Sequence, residues 1–229
     1  MSRAATLLCL TALTLTGIRT ATAGSLAISP LKVSLSNAAG IVSITVTNKG
    51  HEEALVQAET YAWSQVEAET KLIATQDVVA VPPVFRLAPG AQQRIRVGVT
   101  RAFTEHTEQT FRLTVTEVPT ITAPGTIAVA IRHSLPVFVL PASPVASNLG
   151  IKPGASGGLE IVNSGSQHLR IHRWRLRDAN GVVMAEDTGP GYLLAGANRV
   201  LSIAGNLLSG PAVFEADSDS RTVKIAVGQ

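Results

Sequence analysis

The chain has 229 residues, a net charge of +3 and only 15% charged residues. That balance excludes a nucleic-acid binder, which wants clustered Lys/Arg with interleaved aromatics. The 45% hydrophobic content excludes a disordered chain. The single cysteine, Cys9, falls in the first segment, so nothing after it can form an intrachain disulfide.

Met1-Ser2-Arg3 is a short basic start, followed by an apolar run from Ala4 to about Gly17 and then Ala21-Thr22-Ala23 before Gly24. This pattern predicts a secretory signal, residues 1–23, cut after Ala23. The apolar run is shorter than the roughly 20 residues a membrane span needs, which weighs against an anchor. Cys9 lies too early for a lipoprotein cut site. What remains must be held by hydrophobic cores, and its length suits one or two of them.

Alternation of period two then runs almost throughout. Leu31, Val33 and Leu35 alternate with Lys32 and Ser34; Val42, Ile44 and Val46 lead to the turn Asn48-Lys49-Gly50. Val56, Ala58 and Thr60 follow, then Val84 to Leu87 with the turn Ala88-Pro89-Gly90, then Ile95, Val97 and Val99. Phe111, Leu113 and Val115 make the next strand, and Ile127, Val129, Ile131, Leu135, Val137 and Val139 share one phase in a long last run. About seven short strands with turns between them predict an antiparallel β-sandwich of immunoglobulin type.

After Pro141 the texture changes, and Lys152 to Gly158 reads as linker and loop. Shorter strands follow at Leu159–Val162, Leu169–Leu176, Val182–Met184, Val200–Ile203 and Thr222–Val227. The apolar phase slips between Ile171 and Trp174, which predicts a bulge. Asn180-Gly181 predicts a two-residue hairpin turn. The expected architecture is all-β: two immunoglobulin-like β-sandwich domains in tandem, at 24–141 and 146–229. The segment Phe85 to Gly90 before Arg94 is echoed by Leu193 to Gly196 before Arg199, a corner repeated in both halves.

Gly154-Ala155-Ser156-Gly157-Gly158 matches a hydrolase nucleophile elbow, but that motif needs a strand turning into a helix, and no helical period follows. His168 and His172 are spaced to share a strand face; neighbouring Arg170 and Arg173 repel a cation and no third ligand is near, so no metal site is expected. Arg170, Arg173, Arg175 and Arg177 form a basic run that reads as a solvated face or a contact for an acidic partner. The run Thr126 to Arg132 is a β-branched strand that by itself reads as the last core strand, and that left exposed could add to a partner sheet.

Four segments taken together resemble the periplasmic pilus chaperones, the PapD-like family. They are Ile28-Ser29-Pro30-Leu31-Lys32-Val33; Val81 to Leu87 with Pro89-Gly90; Phe111-Arg112-Leu113 leading to Glu117-Val118-Pro119; and Leu135-Pro136-Val137-Phe138-Val139-Leu140-Pro141. The resemblance implies a periplasmic, non-enzymatic protein without cofactor, metal, small-molecule substrate or nucleic-acid partner. Such a protein binds pilus subunits (pilins) by donating a β-strand and delivers them to an outer-membrane usher. It implies Ile127, Val129 and Ile131 as donor side chains. It also implies two cations that anchor the subunit's C-terminal carboxylate, with Lys32 matching one. The second family cation would sit at Pro136, so Arg112 takes that role by resemblance to a variant, archaic or spore-coat-type branch. The inter-domain arginine that partners an acid matching Glu108 is replaced by Leu140, and that network is not expected. The exposed donor edge is also expected to allow self-association of the free chain. Two other classes remain: an exported immunoglobulin-like adhesion or structural module, and a hydrolase using Ser156.

Overall fold

A computed structural model describes residues 26–36, 40–66, 69–119, 130–143, 148–154, 158–201, 203, 210–219 and 221–227. The expected signal at 1–23, the donor positions Ile127 and Val129, and Ser156 lie outside them. Every described element is a strand.

The first half holds β1 (Leu26–Ser29), β2 (Val33–Ser36), β3 (Ile41–Asn48), β4 (Ala54–Val66), β5 (Glu69–Ala74), β6 (Val78–Val81), β7 (Val84–Leu87), β8 (Gln92–Val99), β9 (Gln109–Val118) and β10 (Arg132–Leu140). One sheet runs β1-β3-β8-β6; the facing sheet runs β2-β10-β9-β4-β5, with β7 also pairing β4. The alternating residues do what their phase requires: Val33, Ile44, Val56, Ile95, Leu113 and Val137 are fully buried between the two sheets. The ten strands exceed the seven expected because β1 lies ahead of the first alternating run, and because β5 and β6 carry no clear alternation. β5 is exposed along its whole length.

The second half holds β11 (Leu149–Pro153), β12 (Leu159–Asn163), β13 (Leu169–Asp178), β14 (Val183–Leu193), β15 (Asn198–Leu201), β16 (Ala212–Ser218) and β17 (Thr222–Val227). Its sheets are β11-β12-β15 and β14-β13-β16-β17, closed over Leu159, Ile161, Ile171, Trp174, Leu176 and Phe214. Three expectations change here. Residues 149–153, partly read as linker, pair with β12 as strand β11. β16 was not expected at all, because its charged side chains interrupt the apolar pattern. The turn at Asn180-Gly181 is a three-residue loop: the Gly181 amide donates to the Asp178 carbonyl and Gly181 takes φ 82°. The bulge is present, between Ile171 and Arg173. Gly189 sits opposite it, where a Cβ would overlap the Ile171 carbonyl oxygen.

The repeated corner has one chemical basis in both halves. Buried Asn48 donates through Nδ2 to the carbonyls of Glu52 (2.7 Å) and Leu87 (2.9 Å). Buried Asn163 donates likewise to Gln167 (2.7 Å) and Leu193 (3.1 Å). Each Oδ1 accepts the amide two residues on, from Gly50 and Gly165. Each backbone carbonyl accepts from a left-handed glycine, Gly90 (φ 75°) or Gly196 (φ 72°). A buried carbonyl left without its donor costs about 1–3 kcal/mol. Asn48→Ala or Asn163→Ala is therefore expected to lower unfolding free energy by at least about 2 kcal/mol, read from urea denaturation; an unchanged midpoint would contradict this role.

Two of the four arginines of the basic run on β13 are neutralised across strands. Arg175 pairs with Asp217 (3.0 Å) and Arg177 with Glu215 (3.0 Å), and Lys224 completes the group at 2.8 Å from Glu215. Hydrogen bonds from Lys224 and then Arg177 hold the Glu215 carboxyl below the usual carboxylate range. A depressed carboxyl adds stability above its unfolded pKa and loses it as pH falls through the folded value. Glu215→Gln is expected to lower the melting temperature at neutral pH and to converge with the wild type towards about pH 3.

Candidate functional site: a cationic cleft between the sandwiches

The sheet that carries β10 has two working faces. Leu135, Val137 and Val139 point into the first core, while Phe138, one position out of phase, is fully buried in the second. On β4 the same split holds: Val56 and Ala58 face the first core and Trp63 the second. Phe138 and Trp63 are therefore the first sandwich's contribution to a core shared with the other.

Strand register sets the cleft residues in a row. β2 runs parallel to β10, with Val33 opposite Val137, so Lys32 stands level with Pro136. Pro136 in turn pairs with Arg112 on β9, and Arg112 with Tyr61 on β4. Lys32 and Arg112 thus share a sheet face, two strands apart, or about 10 Å between backbones. Both side chains are long enough to meet over Pro136. Lys32 is exposed, whereas Arg112 is half-buried.

Arg112 lies flat against aromatic rings. Its guanidinium carbon is 3.7 Å from the centroid of Trp63 and 5.9 Å from that of Tyr192. Contacts of this kind contribute about 0.5–2 kcal/mol. Burial pulls the guanidinium below the usual arginine range, and Tyr192 opposes that shift. No acid among the described residues pairs with it, nor with Lys32.

The second sandwich supplies the opposite wall. Tyr192, at the end of β14, meets Trp63 edge-on at 5.8 Å and Phe138 at 5.5 Å. Gln65 clamps it, donating to the Tyr192 carbonyl (2.8 Å) and accepting the Leu194 amide (3.0 Å). His168 stacks on Phe138 with centroids 3.7 Å apart. The fully buried carboxylate of Glu108 accepts the His168 amide at 2.9 Å, and its Oε2 lies 2.7 Å from the imidazole Nδ1. Glu108 is thus an inter-sandwich residue, bonded to His168 of the second sandwich. His168 and His172 do not act together: His172 is paired with Asp219, and no group of three metal-ligating residues occurs among the described residues.

Lys32, Arg170 and Arg221 line one open cleft of about 500 Å³, floored by Glu108 and Leu140. Of the expected donor residues only Ile131 is described, half-buried just ahead of β10, its carbonyl accepting the Glu117 amide at 3.1 Å. The sequence pattern singles out Lys32 and Arg112 but not Trp63, the Glu108–His168 pair or Tyr192. The available signal was the phase of Trp63 and Phe138, two large apolar residues on strand faces that their own core does not use. Phe138→Ala removes the ring that both Trp63 and His168 contact. It is expected to cost about 3–5 kcal/mol and to split one calorimetric unfolding transition into two.

The fold recurs in solved structures. The class 5 fimbriae chaperone CfaA superposes with a TM-score of 0.65 at 14% identity, covering 89% of this chain and 99% of that one. A chain of the Salmonella enterica SafA pilin–SafB chaperone complex gives 0.66 at 17%, covering 90% and 98%. A chain of the CsuC–CsuE chaperone–tip adhesion subunit complex, from archaic Csu pili of Acinetobacter baumannii, gives 0.60 at 17%, covering 78% and 90%. No curated protein matches the sequence. The family model for the pili and flagellar-assembly chaperone PapD N-terminal domain matches residues 25–144, more than half of the chain, and the chain belongs to that family.

Proposed function

We propose that this chain is a periplasmic chaperone of the archaic branch that completes pilus subunits with one of its own strands and hands them to an outer-membrane usher. Residues 1–23 direct export, 24–141 form the working domain and 146–229 the smaller second domain. A subunit with an immunoglobulin-like fold that lacks its last strand has an open core groove. Ile127, Val129 and Ile131 fill that groove at every second position, while main-chain hydrogen bonds hold the register.

The observation that carries this reading is the half-open edge of β10. Its ladder with β2 starts only at Val137, so among the described residues Arg132 to Pro136 pair on one side alone, with β9. A guest strand can occupy that edge only until it meets β2. There its end lies beside the row of Lys32, Pro136 and Arg112. For a C-terminal carboxylate to reach those cations the guest must run parallel to β10, in the same sense as β2. A carboxylate between a lysine and a fork-shaped guanidinium is a sound ion pair. Pro136 in place of a last-strand lysine, and Leu140 in place of an arginine, support the archaic assignment.

Each donor side chain buried contributes about 1.5–3 kcal/mol before ordering costs. Co-expression with a chaperone–usher pilin from the same genome should give a soluble one-to-one complex. Val129→Asp is expected to weaken it at least 100-fold, and Arg112→Ala at least about tenfold. Pilin recovery unaffected by both changes would rule the mechanism out.

A further inference from the structure

The second sandwich brings its own cation to the same place. Arg170 lies on β13 directly across from Tyr192, and its guanidinium carbon is 5.3 Å from the centroid of that ring. Arg112, from the first sandwich, is 5.9 Å from the same centroid. Tyr192 is thus a shared support for one arginine from each sandwich, and its own position is fixed by Trp63, Phe138 and Gln65. Arg170 also lines the cleft that holds Lys32.

The acids close enough to neutralise this group are engaged elsewhere. Glu108 is bonded to His168, and Asp219 is paired with His172. Among the described residues Lys32, Arg112 and Arg170 have no acidic partner. Arg175 and Arg177, further along the same strand, are both paired with acids, whereas Arg170 lines the cleft unpaired. Three cations without acidic partners, two of them supported by rings, form a ready receptor for a single carboxylate.

We propose that Arg170 is a third carboxylate-binding residue, so that the C-terminal carboxylate of a bound subunit is gripped from both sandwiches at once. This rests on the function proposed above and extends it. The second sandwich then takes part in recognition, and its orientation relative to the first becomes a determinant of affinity.

The test uses the full exported chain and a synthetic peptide of alternating Val and Thr, prepared as the free acid and as the C-terminal amide. Binding is followed by the anisotropy of a fluorophore on the peptide N-terminus. Wild type is expected to bind the acid about tenfold or more tightly than the amide. Lys32→Gln and Arg112→Gln should each reduce that preference, and Arg170→Gln should reduce it about fivefold. Arg173→Gln removes the same charge elsewhere on β13 and should leave it unchanged. Full preference in Arg170→Gln, with loss in Lys32→Gln and Arg112→Gln, overturns the role of Arg170 and leaves the proposed function standing. An equal fall in Arg173→Gln also overturns it, because the effect would then be a general field. No preference in the wild type, including no binding, defeats both.

Discussion

The geometry of the cleft depends on Phe138. It belongs to a strand whose other side chains, Leu135, Val137 and Val139, complete the first core, yet it is itself buried in the second. Strand side chains alternate faces, so one strand can serve two cores only while its register is kept. A slip by one residue would turn Phe138, with Pro136 and Ser134, into the first core and point Leu135, Val137 and Val139 away from it. Keeping Phe138 in contact with Trp63, His168 and Tyr192 therefore fixes where Pro136 stands, and with it the row that aligns Lys32 and Arg112.

The cleft shows how a sparsely charged chain concentrates charge. Each acid near the cleft is turned to a histidine, Glu108 to His168 and Asp219 to His172. On β13, Glu186, Glu215 and Asp217 answer Arg175 and Arg177 but not Arg170 at the cleft. Aromatic faces then take over the support of the remaining guanidiniums. A ring holds an arginine in place without cancelling its charge, which an acid would do.

Much of the first sandwich could be read directly from period two, because its strands have one buried face and one solvated face. Arg112 stands out for the same reason, as the polar residue between buried Phe111 and Leu113, whereas Lys32 precedes β2 and Leu31 beside it is exposed. The second half was harder. β16 carries Glu215 and Asp217 among buried residues, and their cross-strand partners are invisible to a local pattern. The bulge at β13 and the Gly189-Pro190 step in β14 shift the phase just where Tyr192 is aimed at the cleft. Tyr192 joins Trp63 across 129 positions of sequence, and Glu108 joins His168 across 60. No spacing rule reaches that far.

The start of β2 also has a bearing on length. Beyond Val33 the side of β10 is filled, and before it, among the described residues, that side is unpaired. A strand laid along that edge is stopped at one end by covalent structure and is unconstrained at the other. Alignment is therefore counted backwards from the guest's last residue. Insertions upstream in the guest strand would leave this end undisturbed. A single residue added after its terminus would have to be bulged out, or would move every inward side chain to the wrong face. Under the proposed function the client is measured from its tail, and sequences sharing little but the position of their final residue fit the same frame.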